Sequence, residues 1–463
     1  MKIGLLPLYL TLYKETCGFM TPRIEAFLDL INQKLTGFGL DIICAPVCME
    51  KEQFLSAVKD FENQGAAAII TLHLAYSPSL ESIDALAKTK LPVLILDTTE
   101  NFEFDPSVDA EEILYNHGIH GVQDMCNLLL RRGKSFKIFA GHHEHSDVLN
   151  RIASYCKSEG MKLAAHFRGS KIGLVGEPFN GMGDFQVPFD ELKNDFELEV
   201  IKYDFDAAEK RIAAVTAVEI DKEKSIDKEL FIWDTSVTDD IYFRTTKVCL
   251  ALRKWIDEQR LDGFSINFVA TDGSPPGLPV MPFTECSKAM TRGVGYAGEG
   301  DVLTAALCGS LLRVFPNTSF SEMFCPDWKG GSVFLSHMGE FNYNICTGKP
   351  RLTEKDFPFT SAENPTVAYG TYMPGKAVYI NILPNGSGRY TLLIASGEIL
   401  PVCGENKMAE SVNGWFKPLT QLEEFLEKFS QFGGTHHGII CYDDCVDALI
   451  DFADEMKFEW VII

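Results

Sequence analysis

Residues 66–74 read Ala-Ala-Ala-Ile-Ile-Thr-Leu-His-Leu, an apolar run of strand length without a charge in it. A strand that is apolar on both of its alternating faces is buried on both, and this is the habit of parallel sheets covered by crossover helices. The neighbouring sequence agrees. Apolar runs at Ile3 to Leu10, Leu40 to Val47, Val93 to Asp97 and Phe136 to Ala140 alternate with Arg23 to Leu35, Gln53 to Gln64 and Val122 to Arg131, where apolar residues recur every three or four positions. Strand, helix, strand repetition of this kind predicts an α/β domain, bounded here at residues 1–170. Ligands in such sheets gather at the carboxyl ends of strands, where His73, Asp97 and the Asn116 to Gly121 phrase are expected.

The same alternation restarts at Lys171-Ile172-Gly173-Leu174-Val175-Gly176. The full Gly-x-Gly-x-x-Gly spacing that opens a helix under a nucleotide is absent there, so a dinucleotide turn is not indicated. Strands at Glu197 to Tyr203 and Gly263 to Ala270, and helices at Ala207 to Lys228 and Arg244 to Gln259, predict a second, smaller α/β domain over residues 171–315. Beyond it the period changes. Segments Thr366 to Tyr372, Ala377 to Leu383 and Tyr390 to Ala395 are separated by Pro-Gly and Asn-Gly-Ser-Gly turns, which predict antiparallel hairpins. Helices at Leu422 to Phe429 and Cys445 to Met456 and a strand at Trp460 to Ile463 complete a β-rich domain over residues 316–463. The expected fold class is therefore α/β, with two doubly wound, Rossmann-like parallel sheets followed by a mainly antiparallel β core. A length of 463 residues fits, since domains of roughly 150 residues give about three.

Lys and Arg number 42 against 65 Asp and Glu, a net charge of −23. Such a surface repels nucleic acid and anionic membranes, which excludes both as partners and leaves a small neutral molecule, or a cation in a local acidic pocket. The 13 cysteines include no Cys-x-x-Cys pair, and an odd count without a secretion signal points to reduced thiols and a cytoplasmic address. Met1 to Leu6 reads as a first strand, and no apolar stretch reaches membrane-spanning length.

Four residues stand out as ligands for one divalent metal. Glu299 sits in Gly298-Glu299-Gly300-Asp301, where Asp301 can cap the helix that starts at Val302 and leave Glu299 in the loop before it. Glu322 ends Thr318-Ser319-Phe320-Ser321-Glu322, and His337 follows Val333-Phe334-Leu335-Ser336; both segments look extended and deliver their ligand near a strand end. His437, in Gly433-Gly434-Thr435-His436-His437, leads into the apolar strand Ile439 to Tyr442. Singly, each has an ordinary explanation as a solvated charge, a satisfied core histidine or a turn. Together, two carboxylates and two imidazoles suit manganese, or a similar ion such as Co²⁺ or Mg²⁺, better than calcium, which prefers oxygen alone.

The phrases Gly293-Val-Gly-Tyr-Ala-Gly-Glu-Gly-Asp301, Thr318 to Glu322, Ser336-His337-Met338 and Gly433 to His437 resemble the L-arabinose isomerase family, within the wider group that includes the L-fucose isomerases. The resemblance implies manganese bound by Glu299, Glu322, His337 and His437, with the two glutamates also moving protons and His436 beside the substrate. Tyr115-Asn116-His117-Gly118-Ile119-His120-Gly121 is similar to the family's Asn-Gln-x-x-His-Gly phrase, which implies that His120, and His117 in place of the family's Gln, reach a sugar in an adjacent subunit's site. Met182 matches a methionine of the family's sugar pocket. A homo-oligomer, a trimer or a hexamer, follows from the same resemblance. One departure is plain: Pro7 to Tyr13 stands where the family has Ser-Gln-His-Leu-Tyr.

The implied reaction interconverts an aldose and a ketose, through a cis-enediol or by a hydride shift between the two carbons. Glu299 and Glu322 are the expected acid and base. Other classes use similar parts: a metal-dependent epimerase or lyase on a sugar acid, or a non-catalytic sugar-binding protein with a structural metal.

Overall fold

The computed structural model describes residues 1–386 and 389–463, the side chain of Arg389 excepted. The chain forms two compact units, Met1–Met161 and Lys162–Ile463.

The first unit is built on strands β1 (Lys2–Leu8), β2 (Asp41–Cys44), β3 (Ala66–His73), β4 (Val93–Asp97) and β5 (Lys137–Ala140). They lie in the order β2-β1-β3-β4-β5, all parallel. The pleat sorts their side chains onto two faces. Ile3, Leu5, Ile70, Leu72 and Leu94 enter one core with Ile24, Phe27 and Ile31 of helix Thr21–Gly37. Leu6, Leu8, Ile69 and Ile95 enter the other with Phe54 and Phe61 of helix Lys51–Asn63 and Val122, Met125 and Leu129 of helix Gly118–Arg131. Both faces are covered, which explains why the strands are almost uncharged.

Two local expectations change. The first strand stops at Leu8, short of Leu10, because Thr11–Thr16 turns into a short helix. The Asn116 to Gly121 phrase does not follow a strand; it bends from helix Ile113–Asn116 into the start of helix Gly118–Arg131. That helix lies so close to the end of β3 that a Cβ at Gly121 would come within 2.4 Å of the His73 ring. The glycine is required by the approach.

The second unit contains a parallel sheet of β6 (Lys171–Val175), β7 (Glu199–Lys202), β9 (Gly263–Ile266) and β10 (Gly295–Gly298) in the order β10-β9-β6-β7, while β8 (Ile232–Trp233) pairs elsewhere. The strands that follow are β11 (Thr318–Asp327), β12 (Ser332–Ser336), β13 (Arg351–Glu354), β14 (Thr366–Tyr369), β15 (Gly375–Asn385), β16 (Arg389–Ile399), β17 (Gly414–Pro418), β18 (His437–Cys441) and β19 (Glu459–Ile462). Seven of them run β15-β18-β11-β12-β17-β16-β19, and β15 also pairs with β16, so the sheet curls into a barrel-like ring. All its pairings are antiparallel except β16 with β19. The barrel and the parallel sheet share one apolar core, joined by helix Val302–Val314, which is buried along nearly its whole length.

Corrections here trace to local hydrogen bonding. The single helix expected over Ala207 to Lys228 is two, Phe205–Ala214 and Ala217–Leu230; Thr216 and Glu219 form a capping box that restarts it. The strand expected to Ala270 ends at Ile266, where the Asn267 side chain accepts from Val269 and tightens Phe268–Thr271 into a 3₁₀ turn. Pro374-Gly375 does not close a hairpin, since β14 pairs with β13 and not with β15. β15 and β16 do form one, with Asn385 opposite Arg389; Ser387 and Gly388 of its expected turn lie outside the described residues. Among the described residues no helix is long and apolar enough to cross a membrane.

Candidate active site

Barrel register brings the candidate ligands together. Glu322 of β11 lies directly opposite His437 of β18 on one side and Ser336 of β12 on the other, so His437 and Glu322 come from adjacent strands and His337 from the residue that follows the next strand. Glu322 is therefore inside its strand and not at the end, as expected from sequence; a register shift between Met323 and Cys325 distorts the ladder just beyond it. Glu299 arrives from the carboxyl end of parallel β10. Its backbone is in the left-handed region, φ 61°, a conformation that costs a non-glycine residue on the order of 1 kcal/mol. Hydrogen bonds hold it there: its N–H donates to Ile266 O at 2.8 Å and its carbonyl accepts from Phe179 N–H at 2.8 Å.

The functional atoms converge. Oε1 of Glu322 is 3.1 Å from Nε2 of both His337 and His437, and Oε2 of Glu299 is 3.4 Å from Nε2 of His437 and 3.5 Å from Nε2 of His436. One donor atom from each of Glu299, Glu322, His436 and His437 falls within 4.8 Å of the others. His337 joins through Glu322. Gly298 makes room, since a Cβ there would lie 3.0 Å from Nε2 of His337.

Each imidazole is held from behind by a carboxylate. Nδ1 of His437 is 2.9 Å from Asp301, Nδ1 of His337 is 2.6 Å from Glu340, and Nδ1 of His436 is 2.7 Å from Asp184. Glu340 in turn accepts from Tyr296 OH at 2.7 Å. Phe185 stacks on His437 at 4.9 Å, and Phe320 meets His337 and His437 edge-on. A carboxylate on Nδ1 sets the ring's rotation and leaves Nε2 as the coordinating end.

The electrostatics ask for a cation. Burial would raise the Glu299 carboxyl, yet the imidazoles of His436 and His437 hold it down at about 2; Glu322 is driven further down by His337 and His437 against the same burial. Burial would likewise depress His337, but Glu340 and Glu322 lift it to about 10, and His437 is raised well above its ordinary value against burial by Asp301 and the two glutamates. Ionised carboxylates and positively drawn imidazoles define a centre where positive charge is stabilised, and a metal competes with protons for the same Nε2 atoms. Buried Glu299 Oε2, Glu322 Oε1 and His437 Nε2 have no hydrogen-bond partner of acceptable geometry. Three orphaned donor atoms facing one point fit a bound divalent ion.

The remaining candidates fall elsewhere. Met182 is half-buried in the loop that carries Asp184. His117 and His120 belong to the first unit. Both ring nitrogens of His117 are engaged there, Nδ1 with Ile113 O at 2.6 Å and Nε2 with Tyr13 OH at 3.1 Å. His120 is exposed and lies edge-on to Tyr76 at 6.1 Å.

Comparisons with known proteins give the family. Residues 20–165 match the L-arabinose isomerase N-terminal domain and residues 317–459 the L-arabinose isomerase C-terminal domain. This chain belongs to the L-arabinose isomerase family. L-arabinose isomerases of Shouchella clausii, Clostridium beijerinckii and Thermotoga maritima are 22%, 24% and 24% identical to it, over 99%, 97% and 97% of this chain and 93%, 91% and 91% of theirs. Membership makes it an aldose–ketose isomerase of carbohydrate metabolism. A solved periplasmic solute-binding protein of Actinobacillus succinogenes with bound D-allose aligns over 68% of this chain and 91% of its own at 12% identity, with a TM-score of 0.17, too low to bear on the fold.

Sequence reasoning missed the carboxylates behind the three imidazoles. Asp301 was legible as a helix cap, and its Oδ1 does accept from Thr304 N–H at 2.9 Å; its second oxygen, on His437, was not. Glu340 lies three residues after His337, a spacing that signals a local pair. Asp184 carries no such signal, being 252 residues from His436.

Proposed function

We propose that this isomerase is metal-dependent, with Glu299, Glu322, His337 and His437 holding one divalent ion, manganese before cobalt or magnesium, and with the two glutamates as acid and base. The observation that carries the proposal is the convergence of three buried, unpartnered donor atoms, Glu299 Oε2, Glu322 Oε1 and His437 Nε2. When bound, the ion would polarise the two substrate oxygens and stabilise charge developing between the adjacent carbons. The protein's own groups do the rest. One glutamate removes the proton from C2, beside the carbonyl, and passes it to O1; the other takes the proton of the C2 hydroxyl and returns it to C1, so both carboxylates end as they began. Held ionised at neutral pH, both can accept one.

In the same reading the three segments 1–170, 171–315 and 316–463 divide the work. The first, whose strand order β2-β1-β3-β4-β5 and doubly covered faces support a doubly wound, Rossmann-like description, contributes His120 to the sugar site of an adjacent subunit. The second supplies Glu299 and Met182, and the third Glu322, His337, His436 and His437. His117, which lies 5.9 Å from His120 ring to ring and meets Tyr13 OH and Ile113 O, is the second sugar contact in this reading. L-arabinose, the sugar named for the relatives, is the first substrate to test, in a cytoplasmic homo-oligomer of three or six chains. The test is incubation with manganese and a panel of pentoses, hexoses and sugar acids. Ketose formation that disappears on chelation supports the reading; conversion of acids alone, or binding without conversion, refutes it.

A further inference from the structure

His436 and His437 are consecutive, yet their Nε2 atoms lie 3.5 and 3.4 Å from the same oxygen, Oε2 of Glu299, and their rings are 4.3 Å apart. Neighbouring side chains on an extended strand point to opposite faces. The chain must therefore bend at His436, just before β18, and the bend has to be held. Strand β15 pairs with β18 only from Val378 opposite Cys441 to Ile380 opposite Ile439. The next residue of β15 is Asn381, and its side chain takes over where the ladder stops. Oδ1 accepts from Thr435 N–H at 3.1 Å, while Nδ2 donates to Thr435 Oγ1 at 2.6 Å and to the carbonyl of His437. Thr435 Oγ1 donates to that same carbonyl at 3.0 Å. Asn381 and Thr435 are 1% and 2% exposed, so water does not compete for these bonds.

One amide thus grips the chain before and after His436. Both of its donor hydrogens and its acceptor are used, a set that neither leucine nor ionised aspartate of similar shape can offer. We infer that Asn381 is a positioning residue, which together with Thr435 sets the bend that turns two consecutive imidazoles onto one point. Without the clamp the segment is free to extend β18 backwards, and an extended strand carries one of the two rings to the opposite face. The inference rests on the proposed metal-binding role of His437.

Calorimetric titration of the metal-free protein with manganese tests it without any turnover. Asn381→Ala and Thr435→Val should each bind manganese about 10-fold more weakly than the wild type, and Thr435→Ser, which keeps the hydroxyl, should bind as the wild type does. Ile380→Val, one residue away on β15 and fully buried, should lower the urea midpoint and leave manganese affinity unchanged. That contrast separates positioning from bulk stability. Wild-type affinity in a folded Asn381→Ala or in Thr435→Val overturns the inference and leaves the metal reading intact. So does a loss in Thr435→Ser as large as in Thr435→Val, or an equal weakening in Ile380→Val. Where Asn381→Ala does not fold, the Thr435 variants decide. A wild type that binds no divalent ion removes the metal reading and this inference together.

Discussion

Replacing Asp301 by asparagine separates two jobs done by one carboxylate. Oδ1 caps helix Val302–Val314 through Thr304 N–H, and Oδ2 holds Nδ1 of His437, both at 2.9 Å. Asparagine caps about as well as aspartate, so the helix start survives. Its amide nitrogen, however, is a donor facing Nδ1. The imidazole must then present a lone pair at Nδ1 and carry its proton on Nε2, the atom that has to be free for an ion. Losing a carboxylate behind a ligand histidine typically weakens metal binding 10- to 100-fold, about 1.4 to 2.8 kcal/mol. Asp301→Ala removes the cap as well and should cost about 1 kcal/mol more in stability without the ion. Calorimetric titration with manganese reads the first effect, and urea unfolding of the chelated Asn and Ala variants reads the second. Wild-type manganese affinity in Asp301→Asn would refute the reasoning, because it would mean that the orientation of His437 does not depend on this bond.

Other outcomes can be stated more briefly. Glu299→Gln or Glu322→Gln should keep the fold and lose at least about 100-fold in turnover, and running the wild type in D₂O should place deuterium on the product carbon; active Gln variants would contradict the acid and base roles, and no deuterium would favour a hydride shift. Gly298→Ala should raise the manganese needed for half-activity, since its Cβ would stand 3.0 Å from Nε2 of His337; an unchanged requirement would show that the ring can move aside. In the first unit, burial holds the His73 ring neutral, with its pKa lowered to about 3. The unfolded ring takes a proton below about 6.5, so the contribution is fully present above that pH and is lost at about 1.4 kcal/mol per unit as pH falls toward the folded value. Urea melts of wild type and His73→Gln between pH 7 and pH 4 should differ in slope; equal slopes would show that the ring titrates in the fold.

Local physics made much of the molecule readable. Uncharged runs such as Ala66 to Leu74 had to be buried on two faces, and a parallel sheet with a core on each side is what they form. Asp301 before a buried helix had to cap it. What was misread was competition at short range: a capping box at Thr216 divides one helix, and Asn267 ends a strand early. Helical or extended periodicity carries no record of such side-chain to backbone bonds.

The sequence by itself determined the parallel first sheet, the change to antiparallel strands after Asp301 and the residue types suited to a divalent ion, because each depends on patterns within one segment. Only the tertiary structure decided that Glu322 sits inside its strand opposite His437, that Asp301 and Glu340 stand behind two of the imidazoles, and that Asp184 grips His436 from 252 positions away. Those pairings arise from strand register and loop packing, which join residues by distance in space and leave no periodic trace along the chain.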